Sequence, residues 1–147
     1  MKRPGSNLRG LVRLRSLREQ DSRIGLAAAL TEERTAADLI AELERQIAGV
    51  QGAGTTDVAT FRARQHRTEA LGQALMSARG TLASAQSLSL MARNRWIEDR
   101  SRLAAVESLV ARRVAAALQE RRRRENNEQD EIGTDLWRRN RNELEAS

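Results

Sequence analysis

Cysteine and tyrosine are absent from this chain, and phenylalanine, histidine, lysine and proline each occur once. Without cysteine there are no disulfides, thiol nucleophiles or thiolate metal sites. The one histidine, His66, sits between Gln65 and Arg67 and has no second imidazole with which to build a ligand pair. It reads as a solvated side chain on an arginine-rich helix. The one proline, Pro4, leaves everything after it free of that helix breaker. Aromatics make up 2% of the 147 residues. A compact globule of this length needs more large apolar side chains to offset its chain entropy. No apolar run approaches the ~20 residues that span a bilayer. Lys2 and Arg3 are not followed by an apolar stretch, because Arg9, Arg13 and Arg15 interrupt it, so no signal peptide is expected. The default expectation is a soluble, cytoplasmic chain.

What is present is arginine, glutamate, leucine and alanine. Charged residues reach 31%, and the net charge of +6 comes from 26 basic against 20 acidic side chains. That mixture reads as long helix or coiled coil. The basic surplus attracts acidic surfaces of several kinds without choosing among them. Residues 1–7 read as a flexible tail. Helix one is expected over about 8–48. Leu8, Leu11, Leu14 and Leu17 recur every three residues. Further on, Leu26, Ala29, Glu33, Ala36, Ile40, Leu43, Ile47 and Val50 alternate steps of three and four, the seam of a coiled coil. The two stretches do not share a register, which predicts a kink or stutter near Gly25. Gly49, Gly52 and Gly54 predict a turn over about 49–56, with Thr or Asp at its end capping the next helix. No strand precedes these glycines and no Gly-Lys-Ser/Thr follows, so they form neither a P-loop nor a dinucleotide fingerprint.

Helix two is expected over about 57–132. One heptad row runs Phe61, Thr68, Leu75, Leu82, Ser89, Trp96, Leu103, Val110 and Ala117. Its companion runs Arg64, Leu71, Ala78, Ala85, Ala92, Asp99, Val106, Arg113 and Glu120, and the apolar pattern fades after Val110. A strict period of 3.5 implies left-handed supercoiling. The short connection makes the helices antiparallel neighbours. The fold expected is therefore all-α, a long antiparallel two-helix coiled coil with the second helix overhanging the first, as a single domain over 1–147. Helix one would be about 63 Å long at ~1.5 Å per residue, placing Leu8 opposite about residue 98. Leu103, Val106, Leu109 and Val110 would then form an unpaired apolar stripe, a candidate partner-binding surface. Residues 119–141 form a charged block with Arg121 to Arg124. Gly133 is expected to end the helix, leaving 133–147 as a charged, partly ordered tail. A thin coiled coil offers no water-excluding pocket, so an enzyme is not expected, and no cofactor or metal is implied.

Several segments together resemble the flagellar FliJ family, coiled-coil components of the bacterial flagellar type III export apparatus. They are the opening Leu8-Arg9-Gly10-Leu11-Val12-Arg13-Leu14-Arg15 with Leu17-Arg18-Glu19; then Arg95-Trp96, Arg102-Leu103, Val106-Glu107-Ser108-Leu109 and Ala115-Ala116-Ala117-Leu118; and the ending Glu125-Asn126 followed by Asp130-Glu131-Ile132. The chain departs from the family pattern in Asn126, where glutamine is usual, and in its dense Arg121–Arg124 run. The resemblance implies a stalk-like coiled coil that couples an export ATPase to protein export without hydrolysing anything itself. It implies three partners: the export ATPase ring, the membrane-embedded export gate, and export chaperones. The ATPase-facing residues would be Arg13, Arg15, Arg18, Arg112, Arg113, Arg121 and Arg124. The gate-facing stretch would lie near Leu71, Ala74 and Ala78. The location implied is cytoplasmic, at the inner face of the membrane under the flagellar base, without membrane insertion.

Two other classes fit the composition. One is an arginine-rich coiled coil that binds nucleic acid, which the lack of aromatic interleaving or a known reading motif disfavours. The other is a scaffold whose overhangs self-associate.

Overall fold

The computed structural model describes residues 6–54 and 57–146, with side chains described from Leu8. The tail expected at 1–7 lies outside them, apart from Ser6 and Asn7, which are already helical. Two helices, α1 (Ser6–Gly52) and α2 (Val58–Glu145), pack against each other, and the described residues contain no strand.

Both helices run past the expected glycine stops. Gly49 and Gly52 belong to α1, and Gly133 lies inside α2. An isolated glycine costs a helix only about 1 kcal/mol relative to alanine. Its neighbours can absorb that cost. Beyond Gly133 the Arg141 guanidinium lies 5.0 Å from the centroid of the Trp137 ring and 3.7 Å from Glu145. Both are one-turn contacts of the kind that support a solvated helix. The region expected as a partly ordered tail is therefore helical to Glu145.

Asp57 caps α2 as its position suggests. Its Oδ1 accepts the Thr60 backbone N–H at 2.7 Å, satisfying one of the orphan donors of the first turn. Hydrogen bonds from Thr60 hold the Asp57 carboxyl below its usual value of 3.8.

The chain divides into two compact units, Arg13–Leu103 and the pairing of Met1–Val12 with Ala104–Ser147. In the first, the cross-helix pairs Ser22–Asp99, Glu33–Ser89 and Glu44–Arg79 run in opposite order along the two helices, the mark of an antiparallel hairpin. Beside the half-buried Ser16, Leu30 and Gln46, one row of covered positions in α1 of this unit runs Arg15, Glu19, Ser22, Leu26, Ala29, Glu33, Ala36, Ile40, Leu43, Ile47 and Val50. Their steps alternate four and three without interruption, so the break expected near Gly25 is absent. The leucine spacing at the start of α1 misleads: Leu14 and Leu17 are 46% and 56% exposed, while Glu19 and Ser22 occupy the seam.

Both rows of α2 hold from Arg64 to Leu103, where every member is buried or half-buried. Phe61 falls outside, at 50% exposure. The stagger explains it. Counting residue for residue from the Glu33–Ser89 pair, the end of α1 comes level with about residue 70. The first turns of α2 therefore have no helix beside them. No large side chain of the described residues is completely buried. The seam relies on small groups instead, with Ala36, Ala78 and Ala85 its most covered apolar members. Each buries little area and contributes little stability.

In the second unit, Leu8, Leu11 and Val12 are half-buried, and so are Val106, Leu109 and Val110. The apolar stripe expected to be bare is thus partly covered, as is Leu103 in the first unit. The expected level of Leu8, opposite about residue 98, is shifted because the connection and the first turns of α2 extend past the end of α1. From Ala111 to Ala146 every residue is exposed.

Candidate functional site

The hairpin seam carries three polar layers in a row that coiled coils ordinarily fill with aliphatics. The first centres on Glu19, 4% exposed. Its Oε1 accepts the indole N–H of Trp96 at 2.9 Å and two N–H groups of Arg23, at 2.7 and 3.1 Å. The Arg100 guanidinium lies 5.3 Å from the Trp96 ring centroid. Trp96 thus serves the seam at both ends, donating its N–H inward and offering its face to a cation. The indole bond, and then Arg23, hold the Glu19 carboxyl below its ordinary value of 4.5.

In the second layer, the Ser22 hydroxyl lies 2.5 Å from Asp99 Oδ2 and 2.6 Å from the Arg18 carbonyl. Arg102 approaches the other Asp99 oxygen at 3.9 Å. In the third, the Ser89 hydroxyl lies 2.5 Å from Glu33 Oε2. No buried side-chain polar atom of the described residues lacks a partner. A satisfied polar layer costs little in its own register and much when slipped, so these layers select one alignment of the two helices.

The structure distributes the arginines expected at a partner surface between the two units. Arg13, Arg15 and Arg18 belong to the hairpin, where Arg15 is half-buried in the seam row and the other two are exposed. Arg112, Arg113, Arg121 and Arg124 belong to the second unit and are all exposed. Arg112 Nε donates to the Ser108 carbonyl at 3.4 Å, and Arg124 Nε lies 3.3 Å from Glu120 Oε1. Of the three residues expected near a gate contact, Ala78 is buried, Leu71 half-buried and only Ala74 exposed.

The exposed part of α2 is electrically divided. Residues 111–124 hold six arginines against one acid, whereas 125–145 hold three arginines against seven acids. A segment with a cationic block followed by an anionic one can steer and orient a complementary partner. The sequence reading saw the arginine run but missed this reversal, which is legible from residue counts alone. The polar layers it missed depend on partners 56 or 77 positions away. Among the described residues no His, Asp and Glu cluster is arranged to hold a metal ion. No helix there is long and apolar enough to cross a membrane.

Comparison with curated proteins and with solved structures gives no match. A protein-family model does match, nearly end to end, and its description is flagellar FliJ protein. The match spans residues 4–142 of 147, so the hairpin and all but the last few residues of the exposed stretch after Val110 are inside it, and the chain belongs to the FliJ family of flagellar export-apparatus components.

Proposed function

We propose that the chain is a non-enzymatic coupling element of the flagellar type III export apparatus, binding the export ATPase and the export gate. The observation that carries this reading is the family match over residues 4–142, which includes a long helical segment with no covering partner. An exposed helix of alternating charge blocks is built to be gripped by a protein whose surface complements it. The ATPase side is assigned to Arg112, Arg113, Arg121 and Arg124, with Arg13 and Arg18 as further candidates. The gate contact is assigned to the exposed surface around Ala74. Export chaperones are further partners of the same type. The protein works in the cytoplasm, held at the inner face of the membrane through its partners.

The test is the double variant Arg121→Glu, Arg124→Glu. Circular dichroism should show unchanged helicity, because both side chains are exposed and the Arg124–Glu120 pair is a surface contact of at most about 0.5 kcal/mol. Stimulation of the export ATPase and co-purification with it should fall by at least about tenfold. Unchanged stimulation overturns the assignment of these arginines. Tight duplex DNA binding at physiological salt, with a steep salt dependence, replaces the reading with a nucleic-acid one.

A further inference from the structure

Residues 111–145 of α2 are all exposed, and two of their features mirror each other about one residue. The first is charge. Residues 111–124 hold six arginines and one acid, whereas 125–136 hold five acids and no base. The sign changes between Arg124 and Glu125. The second is apolar spacing. Of the six large hydrophobic side chains exposed in this stretch, Val114, Leu118, Ile132 and Leu136 are 55%, 52%, 61% and 55% exposed. Leu118 and Ile132 each lie seven residues from Glu125, and Val114 and Leu136 each lie eleven. At ~100° per residue all four fall within about 40° of arc, on one side of the helix. The other two, Trp137 and Leu144, lie off that side, and the Trp137 ring already has the Arg141 guanidinium 5.0 Å from its centroid. The stripe is turned about 80° from the half-buried Val106 and Val110, which lie eight residues before Val114 and Leu118, so it is a separate face.

We propose that this face pairs with the same face of a second copy of the chain, the two α2 helices lying antiparallel over residues 114–136 about a two-fold axis at Glu125. Reversal sets Val114 against Leu136 of the second copy and Leu118 against its Ile132, and symmetry repeats both contacts. It also brings Arg121 and Arg124 beside Glu128 of the second copy, and Arg113 beside its Asp135. Glu125 meets its own counterpart on the axis, where Arg121 of each copy, one turn away, offsets the like charge. A partner of different sequence would need this charge order reversed and aliphatics at the mirrored spacing; a second copy supplies both by symmetry. A parallel copy would set arginines against arginines. The overlap is about 35 Å long, and its polar centre fixes the register while keeping the dimer reversible. The pairing uses only residues of the second unit. Arg113, Arg121 and Arg124 are also assigned to the export ATPase, so on that reading the paired form is a resting state that the ATPase displaces; the pairing itself does not depend on it.

The test uses the full chain alone. Sedimentation velocity should show a reversible dimer that grows as the concentration rises to about 100 μM and recedes in high salt. Ile132→Lys should abolish it, whereas Arg123→Glu, on the far side of the helix, should not. Arg124→Glu and Glu128→Arg should each weaken self-association, and mixing the two variants should restore it as a heterodimer. Because the chain has no cysteine, single cysteines then report the register. Under mild oxidation Glu125→Cys should cross-link to itself at least about tenfold faster than Asn127→Cys, which points away. Val114→Cys and Leu136→Cys should cross-link when mixed and not separately. Circular dichroism checks that each variant keeps its helicity. The proposal is overturned if the wild type stays monomeric through this range, or if the mixed charge variants are no more dimeric than either alone. It is also overturned if Val114→Cys cross-links to itself as fast as Glu125→Cys, which would make the pairing parallel. None of these readouts involves the ATPase, so lost ATPase binding with an intact dimer would count against the earlier assignment only.

Discussion

The hairpin and the exposed stretch after Val110 are both α-helical, yet they owe their helicity to different forces. From about residue 70 to Leu103 α2 lies beside α1, and the seam buries Ala78 and Ala85 while cross-linking Glu19 to Trp96 and Ser22 to Asp99. Between Ala111 and Glu145 nothing is covered. There the helix rests on propensity and on one-turn pairs such as Arg124–Glu120 and Arg141–Trp137. Tertiary contact makes the first region cooperative, and its lack leaves the second free to meet a partner. An isolated helix is marginal in water. The exposed stretch is therefore the part of the protein that binding should stabilise most.

The largest test of that contrast places the same charge in each region. Ala85→Glu puts a carboxylate into the covered alanine row of α2. It should cost more than about 3 kcal/mol, enough to abolish cooperative melting in so thin a fold. Ala116→Glu, fully solvated, should stay within about 0.5 kcal/mol of wild type. Thermal melts followed by circular dichroism decide it. Equal effects at the two sites would mean the seam is not what holds the hairpin.

A sharper test addresses the Glu19 layer. Its carboxyl is held below 4.5, first by the Trp96 indole and then by Arg23. The folded protein therefore binds this proton less readily than the unfolded chain. The resulting stabilisation is complete above about pH 4.5 and is lost as the pH falls through the folded value. Trp96→Phe keeps most of the ring and removes the donor, which should destabilise the fold near neutrality. It should also flatten the acid limb of a stability–pH curve, and Glu19→Gln should flatten it further. A Trp96→Phe protein with the wild-type acid limb would show that the indole bond does not set the titration.

This layer also marks where sequence reading reached its limit. The two rows of α2 were legible because Leu71, Leu75, Ala78, Leu82 and Ala85 repeat at 3.5 residues with apolar side chains. The start of α1 was not, because its leucine run leaves the seam: Leu8 and Leu11 are half-buried, but Leu14 and Leu17 are exposed. Its seam is held by Glu19 and Ser22, whose partners lie 77 positions away. Helix ends were misjudged for a related reason. Gly49, Gly52 and Gly133 look like stops one at a time, but each is a small cost spread over a helix of 47 or 88 residues. At the candidate site the exposed arginines were readable from order alone. The polar layers were not, since their partners face one another only once the stagger of the two helices is known.

The smallest effect uses those glycines to separate the two regions. Gly25 and Gly133 are both helical, and a Cβ added at either meets nothing within 4 Å. Alanine at each should therefore add a similar increment of about 0.5–1 kcal/mol through helix propensity. What differs is where the increment appears. Gly25 lies in the cooperative hairpin, so Gly25→Ala should raise the melting temperature of the main transition by several degrees. Gly133 lies where helix opens locally, so Gly133→Ala should leave that temperature in place and instead slow hydrogen exchange of amides around residues 125–145. If Gly133→Ala also raised the main transition, the exposed stretch would be melting with the hairpin, and its freedom to order against a partner would have to be given up.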